Sequence, residues 1–231
     1  MTAGAPMLSV IVPVYNEDAA LPAFLAMASA WRGAFELVFS DGGSVDRTKE
    51  LVTAAGYRLV EGPKGRGGQC ARGVAAASGD AVMFMHADES VGPDAVGHAA
   101  RALARGVEWG CLTLRWTKRT PTYLFGELLS NLRVCVEGIP FADQCPFMSR
   151  SLYDEAGGMP DIPIMEDYEL ALRLRSRGLR PTQLPDPVWA SPRRFEQGGP
   201  LRVALMMRRL RRLYRRGVSP DELNAMYRDV R

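Results

Sequence analysis

Acidic side chains follow three apolar segments of this chain, where each could bind a cation or accept a hydrogen bond from a ligand. Glu17, Asp41 and Asp88 each come shortly after the end of such a segment. A carboxylate outside bulk water needs hydrogen-bond donors or a cation to offset the cost of its burial. Any single one of them could instead begin a helix, and we assign Asp46 to a helix cap. Taken together, the other three predict a ligand site.

The elements that must position these acids alternate between strands and helices. Apolar segments rich in β-branched residues predict strands at 8–14, 36–40, 57–60 and 81–85, with helices between them. This repeated βαβ pattern predicts the α/β class, with a Rossmann-like, mostly parallel central sheet and helices on both faces. Ligands bind beyond the carboxyl ends of parallel strands, so the three acids should lie at one edge of the sheet.

The second half of the chain has a different pattern. Strands are predicted at 109–116 and 146–149, and helices at 123–137 and 166–177. From Pro200 onward the sequence predicts a C-terminal helical appendage. No change in composition marks a linker, which favours a single domain.

A further acidic pair, Glu166-Asp167, opens the predicted helix in this half. Helix starts favour acids because their backbone N–H groups lack partners and the helix dipole is positive there. On residue type alone, the pair is as readily a helix cap as a chemical group.

The composition excludes several classes of protein. Hydrophobic residues make up 47% of the 231 residues and charged residues 24%, as in a folded globular chain. The apolar runs are shorter than the roughly 18 residues of a membrane span, and the N-terminus lacks a secretory signal pattern, so we expect a cytoplasmic protein. The four cysteines lack the spacing of a zinc site or disulfide framework, and we expect buried thiols. No basic patch is interleaved with aromatic residues, so nucleic acid is not an expected partner.

Arginine is concentrated near the C-terminus. Six of the nine residues in 208–216 are arginine, and subtracting these six charges from the total of +3 leaves −3 for the rest of the chain. Apolar residues recur every three to four positions over 201–216, which predicts a basic amphipathic helix. Such a helix could lie on an anionic membrane, as a peripheral contact at its inner face. Packing of the apolar stripe on the domain, with arginines in solvent, is the alternative that we favour.

Several short motifs, in order, resemble those of the family 2 glycosyltransferases, which have the GT-A fold. In the first part of the chain they are Ser9-Val-Ile-Val-Pro-Val-Tyr-Asn-Glu17, Asp41-Gly-Gly-Ser-Val-Asp46, Gly65-Arg-Gly-Gly-Gln69, Ala75-Ala-Ala-Ser-Gly-Asp80 and Met85-His-Ala-Asp88. In the second part they are Phe141-Ala-Asp-Gln144, Gly157-Gly-Met-Pro-Asp161 and Met165-Glu-Asp-Tyr-Glu-Leu170. His-Ala-Asp, Asp-Gln and Met-Glu-Asp are further similar to a small bacterial branch often associated with radical-enzyme and selenium-related genes.

The resemblance implies one GT-A glycosyltransferase domain over 1–231. Its nucleotide-sugar half would be about 1–90, its acceptor half about 91–198, and the basic helical tail about 199–231. The implied activity moves a sugar from a nucleotide-sugar donor, a UDP-sugar, to an acceptor, with metal assistance and inversion at the sugar carbon. The sequence determines neither the sugar, nor the acceptor, nor the oligomeric state.

Carried over onto matching positions, the resemblance implies nucleotide binding by the first half. Asp41 would accept hydrogen bonds from the base edge, and Gly42 and Gly43 would let a flat base approach the backbone. Many relatives have a second acid where this chain has Gly42, so base recognition would rest on Asp41. Arg66, on a glycine-rich loop, would contact a phosphate or the ribose. The full implied set is Pro13, Tyr15, Glu17, Asp41, Arg66, His86 and Ala87.

The resemblance also implies a Mn²⁺ or Mg²⁺ ion. Asp88 matches the last acid of the family's D-x-D metal motif, while His86 stands where its first acid would be. Imidazole is acceptable to Mn²⁺ and a poor ligand for Mg²⁺, and His86 could equally contact the ribose or sugar, or pack at the strand end. Arg193 and Arg194 loosely match a flexible segment that closes over the diphosphate, and a solvated loop is the alternative.

For the acceptor half, the resemblance implies that Asp167 is the catalytic base. An inverting transfer needs a carboxylate on the acceptor side to take the hydroxyl proton. Glu166 could raise the basicity of Asp167 by like-charge repulsion, or orient the acceptor. Asp143 and Gln144 match an acceptor-side motif.

Two other functions would fit a similar chain. A nucleotidyltransferase can share the α/β core, but its glycine-rich phosphate loop usually follows strand one, whereas the glycine cluster here follows strand three. A non-catalytic nucleotide-sugar-binding protein would be favoured if Asp88 and Asp167 proved dispensable.

Overall fold

An eight-stranded sheet organises the computed structural model, which describes residues 6–192, 196 and 198–228. Its spatial order is β3-β2-β1-β4-β7-β6-β8-β5. The strands, in chain order, are β1 (Leu8–Val14), β2 (Phe35–Asp41), β3 (Arg58–Glu61), β4 (Ala81–Phe84), β5 (Ser90–Val91), β6 (Trp109–Trp116), β7 (Phe147–Ser149) and β8 (Thr182–Ala190).

Helices connect and cover these strands. They are α1 (Leu21–Ala28), α2 (Thr48–Ala54), α3 (Arg66–Ala76), α4 (Ala95–Ala104), α5 (Pro121–Glu137), α6 (Arg150–Glu155), α7 (Glu166–Ser176), α8 (Pro200–Tyr214) and α9 (Pro220–Arg228), with a 3₁₀ turn at Ala142–Gln144. No described helix has both the length and the apolar character needed to span a bilayer.

The first half of the chain forms a parallel sheet, as predicted. β1 pairs in parallel with β2 and β4, and β2 with β3. Val14 at the end of β1 is in register with Asp41 at the end of β2, and Asp41 with Glu61 at the end of β3. The carboxyl ends of these strands therefore meet at one edge, where the predicted acids follow them.

Alternate residues of β1 face two different cores. Val10 and Val12 pack with α1 and α4, whereas Ile11 packs in a second cluster with α3, α6 and α7. A strand covered on both sides explains the uninterrupted apolar run in the sequence. The predicted α/β class with helices on both faces is confirmed.

The second half joins the sheet through antiparallel pairs. β7 is antiparallel to β4 and β6, β8 is parallel to β6, and β5 is antiparallel to β8. The sequence analysis did not predict β5 or β8. Pro185 and Pro187 lie within β8 and lack the N–H that a ladder requires. A shift in register opposite Cys111 and Thr113 accommodates them.

The C-terminal helix α8 packs on the domain, which supports the favoured interpretation of the tail. Val203 and Leu210 are buried, and Leu210 belongs to the second core together with Leu223 of α9. The expectation of four buried thiols is wrong for Cys135, which is exposed on α5.

Candidate active site

The loops after β1 and β2 are joined by backbone hydrogen bonds. Gly42 N–H donates to the Val14 carbonyl at 2.9 Å. Asn16 N–H donates to Ser44 Oγ, and Val45 N–H donates to Asn16 Oδ1, both at 2.9 Å. Asn16 adopts a left-handed backbone with φ of 55°, which asparagine tolerates better than most residues. These bonds fix the two loops relative to each other.

Asp41 is fully buried at the end of β2, between these loops. Its Oδ2 accepts from Gly43 N–H at 2.7 Å and from Ser44 N–H at 2.9 Å. Its buried Oδ1 has no hydrogen-bond partner among the residues that the structure describes. A buried acceptor of this kind is costly unless a ligand donates to it. This geometry suits the N–H of a bound base, as the sequence predicts for Asp41.

Gln69, which the sequence analysis gave no role, connects this pair of strand ends to α3. Its Nε2 donates to the carbonyls of Val14 and Ser40, at 2.8 and 2.9 Å, and its Oε1 accepts from Gly65 N–H at 3.2 Å. A Cβ on Gly42 would lie 3.0 Å from the Gln69 carboxamide. A side chain at position 42 would therefore press on Gln69. In the sequence, the only signal for Gln69 was its place at the end of the Gly65–Gln69 motif.

Tyr15 and Glu17, which follow β1 and are predicted to contact the nucleotide, come directly after the end of this strand. Tyr15 is partly exposed, and Lys64 Nζ lies 3.7 Å from the centroid of its ring. Glu17 is half-buried, and its N–H donates to Thr48 Oγ1 at 2.8 Å. Asp46 accepts from the N–H of Thr48, the first residue of α2, at 3.0 Å, whereas the N-cap position itself is occupied by Arg47. Tyr15 thus offers a ring face beside the buried Asp41.

The segment after β4 carries the predicted metal residues. His86 is half-buried, Ala87 is buried and Asp88 is exposed. Within the described ranges, no hydrogen bond or ion pair occupies the Asp88 carboxylate, and no group of three or more His, Cys, Asp or Glu side chains could hold a metal ion. Mg²⁺ and similar ions are often held by one or two protein groups and substrate phosphates. Asp88 and His86 fit a cation held in that shared way.

Glu89, next to this segment, is a buried acid that the sequence analysis left without a role. Its Oε2 accepts from His86 N–H at 2.9 Å and from Cys145 Sγ at 3.5 Å. Burial raises the pKa of Glu89 well above its ordinary value, and the charges of Asp143 and Asp88 raise it further, against the bond from His86. Glu89 therefore ties the end of β4 to the turn that carries Asp143.

Arg66 begins helix α3, which corrects the prediction that it lies on a glycine-rich loop. The helix spans Arg66–Ala76. Gly67 and Gly68 lie in its first turn because side chains there would collide with the turn at Pro160 and Asp161, a Cβ on Gly67 lying 2.1 Å from the Pro160 carbonyl oxygen. These glycines therefore allow close packing of α3 against the acceptor half.

The Arg66 guanidinium forms an ion pair with Glu166 at the start of α7. Glu166 is buried, whereas 38% of the Arg66 side chain is exposed. Burial lowers the pKa of Arg66, but the carboxylates of Glu166 and Asp167 outweigh it and raise this pKa. Because Arg66 neutralises it, Glu166 is poorly placed to act on Asp167 by like-charge repulsion.

Asp167 is half-buried in the first turn of α7. Its Oδ2 accepts from Ala142 N–H at 2.9 Å, and its Oδ1 accepts from Tyr168 N–H at 2.7 Å. The bond to Tyr168 is of the helix-start kind, whereas the bond to Ala142 crosses to another segment. Each oxygen keeps a lone pair for a further donor. Asp167 can therefore accept a proton while being held in place.

The 3₁₀ turn at Ala142–Gln144 carries the two residues predicted to contact the acceptor, and their environments differ. Asp143 is half-buried near Glu89 and Arg133. Gln144 is fully buried: its Oε1 accepts from Arg133 Nη2 at 3.0 Å, and its Nε2 donates to Asn131 Oδ1 at 3.3 Å. The position of Gln144 does not support contact with an acceptor. Arg193 and Arg194 lie outside the described residues.

One cleft brings the two halves of the chain together. Pro13, Arg66 and His86 line it from the parallel sheet, and Ala142, Glu166 and Asp167 line it from the other side. Its deeper wall is apolar and consists mainly of Phe84, Trp109, Met148 and Met159. Asp41 and Asp88 lie outside this lining. A ligand that reached from the Asp41 edge to the cleft would therefore place one end beside Asp167.

The sequence model described as "Glycosyl transferase family 2" matches residues 9–127, which is more than half of the chain. A PGL/p-HBAD biosynthesis glycosyltransferase of Mycobacterium tuberculosis is 39% identical over 95 residues, which cover 38% of this chain and 37% of that protein. An undecaprenyl-phosphate 4-deoxy-4-formamido-L-arabinose transferase of Pseudomonas aeruginosa is 32% identical over 114 residues, covering 44% of this chain and 34% of that protein. The matches thus span little more than a third of these relatives.

Solved structures show the same fold. A mannosyltransferase from Pyrobaculum calidifontis, in complex with GDP-Man and Mn²⁺, superposes with a TM-score of 0.69 at 21% identity over 92% of this chain and 63% of that chain. Glucosyl-3-phosphoglycerate synthase from Mycobacterium tuberculosis, in complex with Mn²⁺, UDP and glucosyl-3-phosphoglycerate, gives 0.58 at 25% identity over 80% and 71%.

Proposed function

This chain belongs to glycosyl transferase family 2, and on that premise we propose that it transfers a sugar from a nucleotide-sugar donor, a UDP-sugar, to an acceptor hydroxyl with inversion at the sugar carbon. The observation that carries the proposal is the cleft lined by Pro13 of β1, by His86 after β4 and by Glu166 and Asp167 at the start of α7. Membership of the branch associated with radical-enzyme and selenium-related genes remains a prediction.

The donor nucleotide would bind along the edge formed by β1 and β2. The buried, unpaired Oδ1 of Asp41 would accept the imide N–H of uracil, and the ring of Tyr15 offers a face for contact. Pro13, Glu17 and Ala87 would complete this site, and Arg66 would move its guanidinium toward the diphosphate. A UDP complex of a structural relative is consistent with this choice of base.

Asp88 and His86 would hold a Mn²⁺ or Mg²⁺ ion together with the diphosphate oxygens. Such an ion neutralises the negative charge that develops on a departing diphosphate. The exposed Asp88 carboxylate, which has no partner within the described ranges, supports this role.

Asp167 would act as the general base. It takes the proton of the acceptor hydroxyl while that oxygen forms a bond to the anomeric carbon, and the bond to the diphosphate oxygen breaks with its electron pair on that oxygen. Attack from the face opposite the leaving group inverts the carbon. The bond from Ala142 holds one carboxylate oxygen during this step.

Glu166 and Gln144 would position other groups rather than react. Glu166 holds Arg66 across the cleft, and Gln144 anchors the turn that carries Ala142 and Asp143 to α5. Asp143 would contact the acceptor.

A panel of UDP- and GDP-sugars, incubated with Mn²⁺ and candidate acceptors, tests this function through release of the nucleoside diphosphate. UDP release that depends on the acceptor is expected. Release of pyrophosphate from a nucleoside triphosphate and a sugar phosphate would instead identify a nucleotidyltransferase. Donor binding without any turnover, unchanged in Asp88→Ala and Asp167→Asn, would favour a non-catalytic binding protein.

A further inference from the structure

The side of helix α5 that faces β6 carries polar residues together with the buried Tyr123 and Val134, whereas its exposed side is apolar. Glu127 is buried and accepts from Trp116 N–H at 2.7 Å and from Arg115 Nη1 at 3.1 Å. Asn131 bonds both the N–H and the carbonyl of Leu114, at 3.0 and 3.1 Å. Glu127 and Asn131 therefore extend the hydrogen bonding of β6. The leucines of α5 are all on its exposed side.

The opposite face of α5 is an apolar stripe that no described residue covers. Phe125, Leu128 and Val136 are 61%, 60% and 63% exposed. No charged residue interrupts this face, since the charged side chains of α5 are buried or half-buried. Contiguous exposed apolar surface of this kind marks an interaction site in most folded proteins. The stripe consists of Leu124, Phe125, Leu128, Leu129, Leu132 and Val136.

Helix α8 presents an unpaired basic face. Its apolar residues Val203 and Leu210 are packed in the domain, so its arginines point outward. None of the ion pairs within the described part of the chain involves these exposed arginines, and helix α8 contains no acid. The basic face consists of Arg202, Arg208, Arg209, Arg212, Arg215 and Arg216.

The two helices adjoin at Phe141. The Arg133 guanidinium of α5 lies 3.6 Å from the Phe141 ring centroid, and that of Arg211 on α8 lies 5.1 Å from it. Phe141 precedes Ala142, the residue that binds Asp167. The apolar stripe and the basic face are therefore carried by two helices that meet beside the candidate active site.

We propose that this surface docks on an anionic lipid bilayer, with the apolar stripe of α5 inserted at the headgroup boundary and the basic face of α8 on the headgroups. Apolar burial combined with attraction to anionic lipid is how interfacial helices bind. Charge complementarity favours this occupant over a second copy of the chain. A symmetric dimer through α5 would cover the stripe but leave the arginines of both copies without counter-charges. The inference does not depend on the proposed reaction.

Cys135 allows a fluorescent probe to be attached to α5 of the unmodified sequence. All four cysteines lie in the described residues, and only Cys135, on α5, is exposed. An environment-sensitive fluorophore on Cys135 of the otherwise unchanged protein should shift to the blue with vesicles of phosphatidylcholine and phosphatidylglycerol. The shift should weaken as salt rises, because salt screens the arginines. No shift with these vesicles, or an equal and salt-insensitive shift with phosphatidylcholine alone, would overturn the proposal.

Vesicle sedimentation of variants tests each face separately. Phe125→Glu/Leu128→Glu should reduce binding by more than about tenfold, since each large apolar side chain loses its burial. Arg208→Gln/Arg212→Gln should reduce binding by about thirtyfold, at about 1 kcal/mol for each of the two basic residues near the surface. Val45→Glu is the matched control for vesicle binding, because Val45 is 88% exposed and far along the chain from both helices, and its replacement should leave vesicle binding unchanged.

Light scattering tests whether the apolar stripe of α5 binds a second copy of the chain instead of lipid. A monomeric wild-type protein that binds the anionic vesicles supports the proposal. A wild-type dimer that Phe125→Glu/Leu128→Glu converts to monomer, together with no vesicle binding, would make α5 a subunit interface and overturn it.

Discussion

Asp41 and Asp167 are both carboxylates held by backbone N–H groups, but their donors come from different distances along the chain. Asp41 binds the N–H groups of Gly43 and Ser44, two and three residues away. Asp167 binds that of the adjacent Tyr168 and that of Ala142, 25 residues away. On the proposed donor side of the cleft, Asp41 is therefore held within its own turn, whereas on the proposed acceptor side Asp167 also depends on packing between distant segments.

The consequence is that the two sides should respond differently to substitution. A turn that satisfies its own backbone depends little on the rest of the fold. The acceptor side depends on contacts such as Arg66 with Glu166, which join residues 100 positions apart. Changes on the donor side should alter nucleotide affinity, and changes on the acceptor side should alter turnover or stability.

Asp167→Asn should give the largest effect on turnover. Asparagine keeps the shape and hydrogen-bond acceptor of the side chain but cannot take a proton, so turnover should fall by about a hundredfold to ten-thousandfold, the usual contribution of a positioned base. Donor affinity should stay within about twofold. The matched control is Glu169→Gln in the same helical turn, where the carboxylate binds Arg173 and Tyr214. Near-normal transfer by Asp167→Asn would leave only the helix-cap role.

Removing either partner of the ion pair between Arg66 and Glu166 should lower the free energy of unfolding, but by different amounts. Arg66→Gln leaves the buried Glu166 without its counter-charge and should lower the free energy of unfolding by about 3 kcal/mol. Glu166→Gln leaves a partly exposed arginine and should cost less, about 1 kcal/mol. Denaturant unfolding measures both. The double variant should be more stable than Arg66→Gln alone, and equal losses in both single variants would contradict the assigned burial.

Gln69→Ala tests whether a change on the proposed donor side lowers nucleotide affinity. It removes the Gln69 donor from the carbonyls of Ser40 and Val14, of which Val14 keeps its bond from Gly42 N–H, so we expect about 1–3 kcal/mol of lost stability and a donor affinity lower by about tenfold. Gln183→Ala is the control on the acceptor side, since Gln183 donates to Asn131 at 2.6 Å. It should lose stability without changing UDP affinity in calorimetry. Unchanged affinity in Gln69→Ala would remove the donor-side role of this residue.

The smallest effect on turnover is expected at Glu36, at the start of β2. Burial acts to raise the pKa of Glu36, but hydrogen bonds from Ser9, Ser78 and Gly79 outweigh it and lower this pKa. A lowered pKa contributes stability above the unfolded value near 4.5, and this stability is lost as pH falls through the folded value.

Glu36→Gln should therefore lose about 1–2 kcal/mol at neutral pH. Its stability should also fall less steeply than that of the wild type below about pH 5. Thermal unfolding over this pH range measures the difference, with turnover as the control that should not change. Parallel pH curves for the two proteins would show that Glu36 gains nothing from its hydrogen bonds.

The donor side could largely be predicted from the sequence, because strand ends and the residues after them are local features. The predicted position of Asp41 follows from the apolar run before it. Gln69 could not be assigned, because its carbonyl partners belong to β1 and β2 rather than to its own helix.

The acceptor side was harder to predict for the same physical reason. The motif Met165-Glu-Asp indicates a helix start, but not that Arg66 would neutralise Glu166. Helix α5 was predicted, but the pattern alone could not show that Glu127 and Asn131 face β6 while the leucines face outward. Strand β8 was missed because its prolines argue against a strand unless a shift in register accommodates them.

Calorimetric titration of the wild-type protein with UDP, with and without Mn²⁺, tests the central claim most directly. We predict binding in the roughly 1 µM to 1 mM range typical of enzyme substrates, weakened by EDTA and by Asp88→Ala, and lost in Asp41→Asn while Asp94→Asn binds normally. Failure of UDP and of every other nucleoside diphosphate to bind, with or without the metal, would contradict the account of this edge of the sheet as a nucleotide-sugar site.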